Sequence, residues 1–162
     1  MKIKLLIIFA LATLGLSVQA QTEAPVITEL HLLLKNAKNN FVNDVGKKVE
    51  EDTVTKNIYY ETKNPVVAAD PFILHLGTGQ NIFILNYDAT GDKLTALIPI
   101  VDQYIDELNK MVKTSDYTGN DYKNEKGKAV TDIHDKDGNL VLRYTSDKAS
   151  QTVYLYGFTN NK

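Results

Sequence analysis

Apolar residues recur every three or four positions from Ile27 through Leu30, Leu34, Ala37 and Phe41 to Val45, which is one face of an amphipathic helix. Gly46, followed by Lys47 and Lys48, predicts its end, because glycine takes the left-handed cap conformation and lysines suit the negative end of the helix dipole. The charged stretch from Lys47 to Lys56 has no clear period and reads as a loop or a weak edge strand. Ile58 to Thr62 is aromatic and β-branched and stops at Asn64-Pro65, a strand signature. Phe72 to Leu76 is an apolar run too short for its period to decide between helix and strand. After the Gly77 to Gln80 turn, Asn81 to Asp88 reads as a buried strand.

A second helix is predicted by Leu94, Leu97, Ile98, Val101, Tyr104, Ile105, Leu108, Met111 and Val112, with Asp92 placed as its N-cap. Pro99 falls inside this pattern and predicts a kink, or a helix that begins near Ile98. The period then shortens to two. Lys128 to His134, Leu140 to Ser146 and Thr152 to Thr159 alternate as strands, joined by Asp/Asn-rich hairpin connections, and Tyr117 to Lys123 can add an edge strand. No sequence repeat is visible. The expected fold is α+β: two helices packed on one face of an antiparallel sheet of about five to six strands, in the order helix, strands, helix, strands.

Residues 1–20 carry a different signal. Lys2 and Lys4 precede an apolar run from Leu5 to Leu16, and Ser17-Val18-Gln19-Ala20 offers the small residues of a cleavage site. The run falls short of the roughly 20 residues a spanning helix needs. It reads as a secretory signal peptide, leaving residues 21–162 as one α+β domain, periplasmic or secreted, with no membrane span. Removing two lysines takes the net charge from −2 to −4. No cysteine is present, which excludes disulfides, thiol nucleophiles and Cys-based metal sites. A single arginine, Arg143, and a near-neutral balance argue against nucleic acid as a partner.

Candidate chemistry is sparse. His31, His75 and His134 have no second histidine at ligand spacing, and Ser115, Ser146 and Ser150 lack a nucleophile-elbow context. Gly77-Thr78-Gly79 leads into a strand and is a turn, not a phosphate loop. The cluster Asp132, His134, Asp135, Asp137 and Asn139 loosely resembles the opening of a calcium loop, but its glycine comes early and no bidentate Glu follows. A hairpin turn explains the same residues. No catalytic residue, metal or cofactor is therefore expected.

What rises above background is apolar character on both faces of several strands. Tyr87, Tyr144, Tyr154 and Tyr156 are expected to share an aromatic face opposite an aliphatic one, and tyrosine suits a surface that is partly covered or meets a partner. Long lysine side chains and the Lys47 to Lys56 stretch are the alternative cover for that face.

The Phe41-Val42-Asn43-Asp44-Val45-Gly46 helix ending, the Ile58-Tyr59-Tyr60 strand and the second helix together resemble small exported proteins of unknown function from Gram-negative bacteria. In these a signal peptide precedes one helix–strands–helix–strands domain. The order is also similar to that of secretion-chaperone-like folds, which bind partner segments without catalysis. No functional residue carries over from either likeness. The sequence thus favours a non-enzymatic exported domain that binds a protein, a peptide or a small apolar ligand through an aromatic sheet face or the space between sheet and helices, or a second copy through that face. The alternatives are a small periplasmic hydrolase whose histidine and carboxylate, with His75 or His134, meet only in three dimensions, and an envelope-stress or structural protein.

Overall fold

A computed structural model describes residues 25–158 apart from 67, 115 and 148. The segment read as a signal peptide and Ser115 lie outside the described residues. The elements run α1 (Pro25–Ala37), β1 (Val45–Glu51), β2 (Ile58–Thr62), β3 (Asp70–His75), β4 (Asn81–Asp88), α2 (Lys93–Lys113), β5 (Tyr117–Lys123), β6 (Ala129–Asp135), β7 (Leu140–Ser146) and β8 (Ser150–Tyr156). All eight strands form one antiparallel sheet in the order β1-β2-β3-β4-β8-β7-β6-β5. The α+β class and element order match the sequence reading; the strand number does not. The surplus comes from β1, made of the charged stretch, and from β3 and β5, which periodicity left open.

The order reveals a repetition that the residues conceal. Each half is a helix followed by a four-stranded meander, and the halves meet where β4 pairs with β8. Corresponding strands start about 70 residues apart: Val45 and Tyr117, Ile58 and Ala129, Asp70 and Leu140, Asn81 and Ser150.

Cross-strand partners share a face, so register sorts every side chain. Ile73, Phe83, Leu155, Leu142 and Ile133 form one continuous row toward the helices. Leu30, Leu33 and Ala37 of α1 and Leu97, Tyr104, Leu108 and Met111 of α2 close over that row and form a single core with it. Both helices therefore cover the same face. No helix among the described residues is long and apolar enough to cross a membrane.

Helix α1 stops at Ala37, eight residues before the predicted end. Asn40 and Phe41 take left-handed backbone conformations (φ 51° and 53°), which turn the chain and drop the fully buried Phe41 ring to 5.4 Å from Phe83. Asp44, also buried, accepts hydrogen bonds from Asn36 Nδ2 (3.1 and 3.0 Å) and Asn64 Nδ2 (2.9 Å), so the turn's one carboxylate is held by amides. Gly46 does not cap the helix. It lies in β1 where a Cβ would come within 2.7 Å of the Glu61 carbonyl, so close strand approach explains the glycine.

Helix α2 starts at Lys93 and continues through Pro99. Asp92 is in helical conformation and makes no side-chain cap bond. Asp88 serves the helix entrance instead, accepting from the Thr90 N–H and pairing with Lys93. At the two predicted hairpins the chemistry is as read: Asp135 Oδ1 accepts the N–H groups of Asp137 and Asn139, Asp147 Oδ1 those of Ala149 and Ser150, and Gly138 takes φ +82°. Asp135 is thereby engaged by its own turn.

Candidate functional site

The face away from the helices is apolar at its centre. Three rows cross it: Tyr59, Leu74, Ile82 and Tyr156; Glu61, Phe72, Ile84, Tyr154, Arg143, Asp132 and Asn120; and Asn86, Thr152, Thr145, Val130 and Tyr122. Ile82, Ile84 and Val130 are buried although neither α1 nor α2 lies above them. Side chains of the face itself cover them. Leu74, Ile82, Ile84, Tyr154 and Tyr156 on one side, with Tyr122, Val130 and Arg143 on the other, line a depression of about 290 Å³. It shares Tyr122, Asn124, Thr145 and Tyr154 with an adjoining cleft of about 590 Å³, rimmed by Lys123, Lys126 and Lys128.

The floor holds one ion pair. Arg143 Nε and Nη2 donate to the two oxygens of Asp132 at 2.6 and 2.8 Å, and the Tyr122 hydroxyl donates to Asp132 Oδ2 at 3.2 Å. Burial pushes the Asp132 carboxyl up, but the Arg143 bonds outweigh it and leave the group below its ordinary value. Asp132 in turn raises the Arg143 guanidinium. Burial raises the Tyr156 hydroxyl, against the pull of Arg143. With both charges engaged, the groove offers mainly tyrosine rings, aliphatic side chains and a lysine rim.

The four tyrosines expected together are divided by the register. Tyr154 and Tyr156 lie on the open face beside Ile84 and Ile82. Tyr87 lies on the helix side, nearly fully buried and edge-on to Tyr104 at 5.9 Å. Tyr144 also faces the helix side, lining a depression of about 440 Å³ with Ile105, Leu108 and Val112 of α2, its hydroxyl bonded to Gln151. Each face is thus mixed, not one aliphatic and one aromatic, because Leu85 pairs with Val153 and so aligns the β4 residues Phe83, Leu85 and Tyr87 with Val153 and Leu155. Sequence reasoning missed Tyr59, Phe72, Leu74 and Tyr122, and it missed the Asp132–Arg143 pair. The last was hidden by an irregularity: the turn recognised at Asp135 to Asn139 sets His134 opposite Leu140 and would carry Asp132 to Leu142, and the register shift between Ile133 and His134 is what brings it opposite Arg143.

The histidines are dispersed. His75 Nδ1 lies 2.7 Å from Asn81 Oδ1, and His134 sits in β6 opposite Thr118. His31 Nε2 lies 2.8 Å from Glu107 Oε1, joining α1 to α2, and Lys110 holds the other Glu107 oxygen at 3.1 Å. Burial pushes the Glu107 carboxyl up, and the Lys110 and His31 hydrogen bonds more than reverse that. Among the described residues no three or more His, Cys, Asp or Glu side chains converge on a point where a metal ion could be held. Comparison with protein-family models, with curated proteins and with solved structures returns no match.

Proposed function

We propose that this chain is an exported, non-enzymatic binding domain that seats an apolar or aromatic segment of a protein or peptide in the groove of its open sheet face. The observation that carries the reading is the groove itself: Leu74, Ile82, Ile84, Tyr154 and Tyr156 line a concave surface on the side that neither helix covers. A ring or branched side chain placed there would lose water on contact with several apolar side chains, while the tyrosine hydroxyls remain free to bond a peptide backbone. Tyr87 and Tyr144 support the fold beneath and take no part in contact.

The test is selection of binders from a random peptide library on residues 21–162, followed by mapping of each binder by amide chemical-shift changes. Binders that shift β8 and the Tyr122 to Val130 hairpin, and lose at least about tenfold in affinity to Tyr154→Ala/Tyr156→Ala, support the groove. Binders that map to the helices, or that ignore both substitutions, refute it.

A second reading rests on the His31–Glu107 pair, which borders a shallow depression of about 250 Å³ lined by Leu34, Lys38, Met111 and Tyr117. A carboxylate-oriented imidazole is the core of a general-base site, so a small hydrolase would work here and not at His75 or His134. Hydrolysis of an activated ester that falls to background in His31→Ala would favour this reading; equal rates would exclude it.

A further inference from the structure

The sheet has two edges built differently. Edge β1 is broken by two register shifts, between Val45 and Lys48 and between Lys48 and Glu50, and carries Lys47 and Lys48. Irregularity and lysine are the means by which sheet edges avoid further pairing. Edge β5 has no such break and a single lysine, Lys123, at its last position: seven consecutive residues, Tyr117 to Lys123, pair with β6 without a shift, and all but Tyr117 are exposed. The hairpin closes through the Asn124 N–H to the Lys128 carbonyl at 3.0 Å. Backbone polar groups alternate along a strand, so those of Tyr117, Gly119, Asp121 and Lys123 point outward from the edge.

We infer that β5 is a homodimer interface, on which the β5 of a second copy pairs antiparallel about a two-fold axis at Asn120. This goes beyond the groove reading and does not depend on it. The register is chosen by the outward groups, since only a centre at Asn120 lets all four outward residues bond, Gly119 with the partner's Asp121 and Tyr117 with the partner's Lys123. It is also compatible in charge: Asp121 faces a glycine, Lys123 faces a tyrosine ring, and Tyr122 faces Thr118, an aromatic and β-branched pair of the kind that stabilises sheets. A centre one residue later would set Asp121 against Asp121. The fold already contains the same operation where β4 meets β8 antiparallel. Pairing stops at two copies, because the edges left exposed are the broken β1 strands. Tyr122 lies on the open face, so the dimer would bring two grooves side by side.

The interface is one strand per copy, which places it among weak associations. The experiment is sedimentation equilibrium of residues 21–162 from about 10 µM to about 1 mM, with hydrogen exchange at both ends of the range. The expected result is a concentration-dependent dimer in which the Tyr117, Gly119, Asp121 and Lys123 amides gain protection. Asn120→Lys places two lysines face to face at the axis, where its own fold tolerates it beside Asp132, and weakens the dimer about two- to fivefold. Asp121→Asn removes the diagonal repulsion between the two Asp121 side chains and tightens it. A monomer throughout, or a dimer in which these four amides exchange at one rate at all concentrations, overturns the inference.

Discussion

Removing Arg143 should harm the fold more than neutralising Asp132, although the two form one pair. The reason is unequal burial: the Asp132 side chain is 9% exposed and that of Arg143 34%. Arg143→Met leaves a carboxylate under the groove floor with the Tyr122 hydroxyl as its one remaining side-chain hydrogen bond among the described residues, at the low end of the cost of a stranded buried charge, about 3 kcal/mol. Asp132→Asn leaves a guanidinium that can turn partly to water, at about 1 to 2 kcal/mol. The double variant should be more stable than Arg143→Met alone, since the stranded charge is gone. Urea denaturation of all four proteins at pH 7 gives the cycle. Because the Asp132 carboxyl in the fold titrates below its unfolded value, the pairing contributes fully above about pH 4 and is lost as the pH falls through the lower, folded value. The gap between wild type and Arg143→Met should therefore close in acid. If Asp132→Asn costs more than Arg143→Met, or the two losses simply add, the burial argument is wrong.

Three further outcomes follow from other parts of the core. Gly157→Ala would drive a Cβ onto Asn40 Oδ1 and to 2.8 Å from the Asn81 carbonyl, in a junction fixed by the bonds Asn81 Nδ2 to Asn40 O and Gly157 N to Asn81 O. A loss of about 2 to 3 kcal/mol is expected in thermal unfolding, and a loss under 0.5 would refute the junction's rigidity. Tyr104→Phe should change stability by less than about 1 kcal/mol, because the buried Tyr87 and Tyr104 hydroxyls have only each other nearby and make no hydrogen bond of good geometry among the described residues. A loss above 1 kcal/mol would reveal a bond. Burial pushes the Tyr104 hydroxyl up to about 12 and Tyr87 higher still, while unfolded tyrosine ionises near 10.0. The unfolded chain thus releases these protons first, and stability should fall as pH rises above 10. Absorbance at 295 nm should show two of the nine tyrosines ionising only with loss of structure.

What the sequence disclosed depended on whether the cause was local. Helix α2, the strand Leu140–Ser146 and the hairpin turns at Asp135 and Asp147 were legible, because amphipathic period and Asx chemistry act within a few residues. The end of α1 was not. Phe41 continues the helical spacing, yet it reaches the core from a left-handed turn, and only its packing on Phe83 decides that. The site was half legible for a similar reason. That Tyr154 and Tyr156 alternate with Val153 and Leu155 is readable in one strand; which of these sides joins Tyr87 is set by the β4–β8 register, between segments some 70 residues apart. The repetition of the two halves was invisible because it resides in topology and spacing, not in matching residues.

That topology also concentrates the kinetic difficulty of folding. Six of the seven strand pairings join strands that follow one another in the chain; the seventh, β4 with β8, must close a loop containing α2 and strands β5 to β7. Each meander can form from short-range encounters, whereas the seam bears nearly the whole entropy of long-range closure. The rate of reaching the native state should then be governed at Leu85 and Val153, and residues far from the seam should govern chiefly how slowly the protein comes apart.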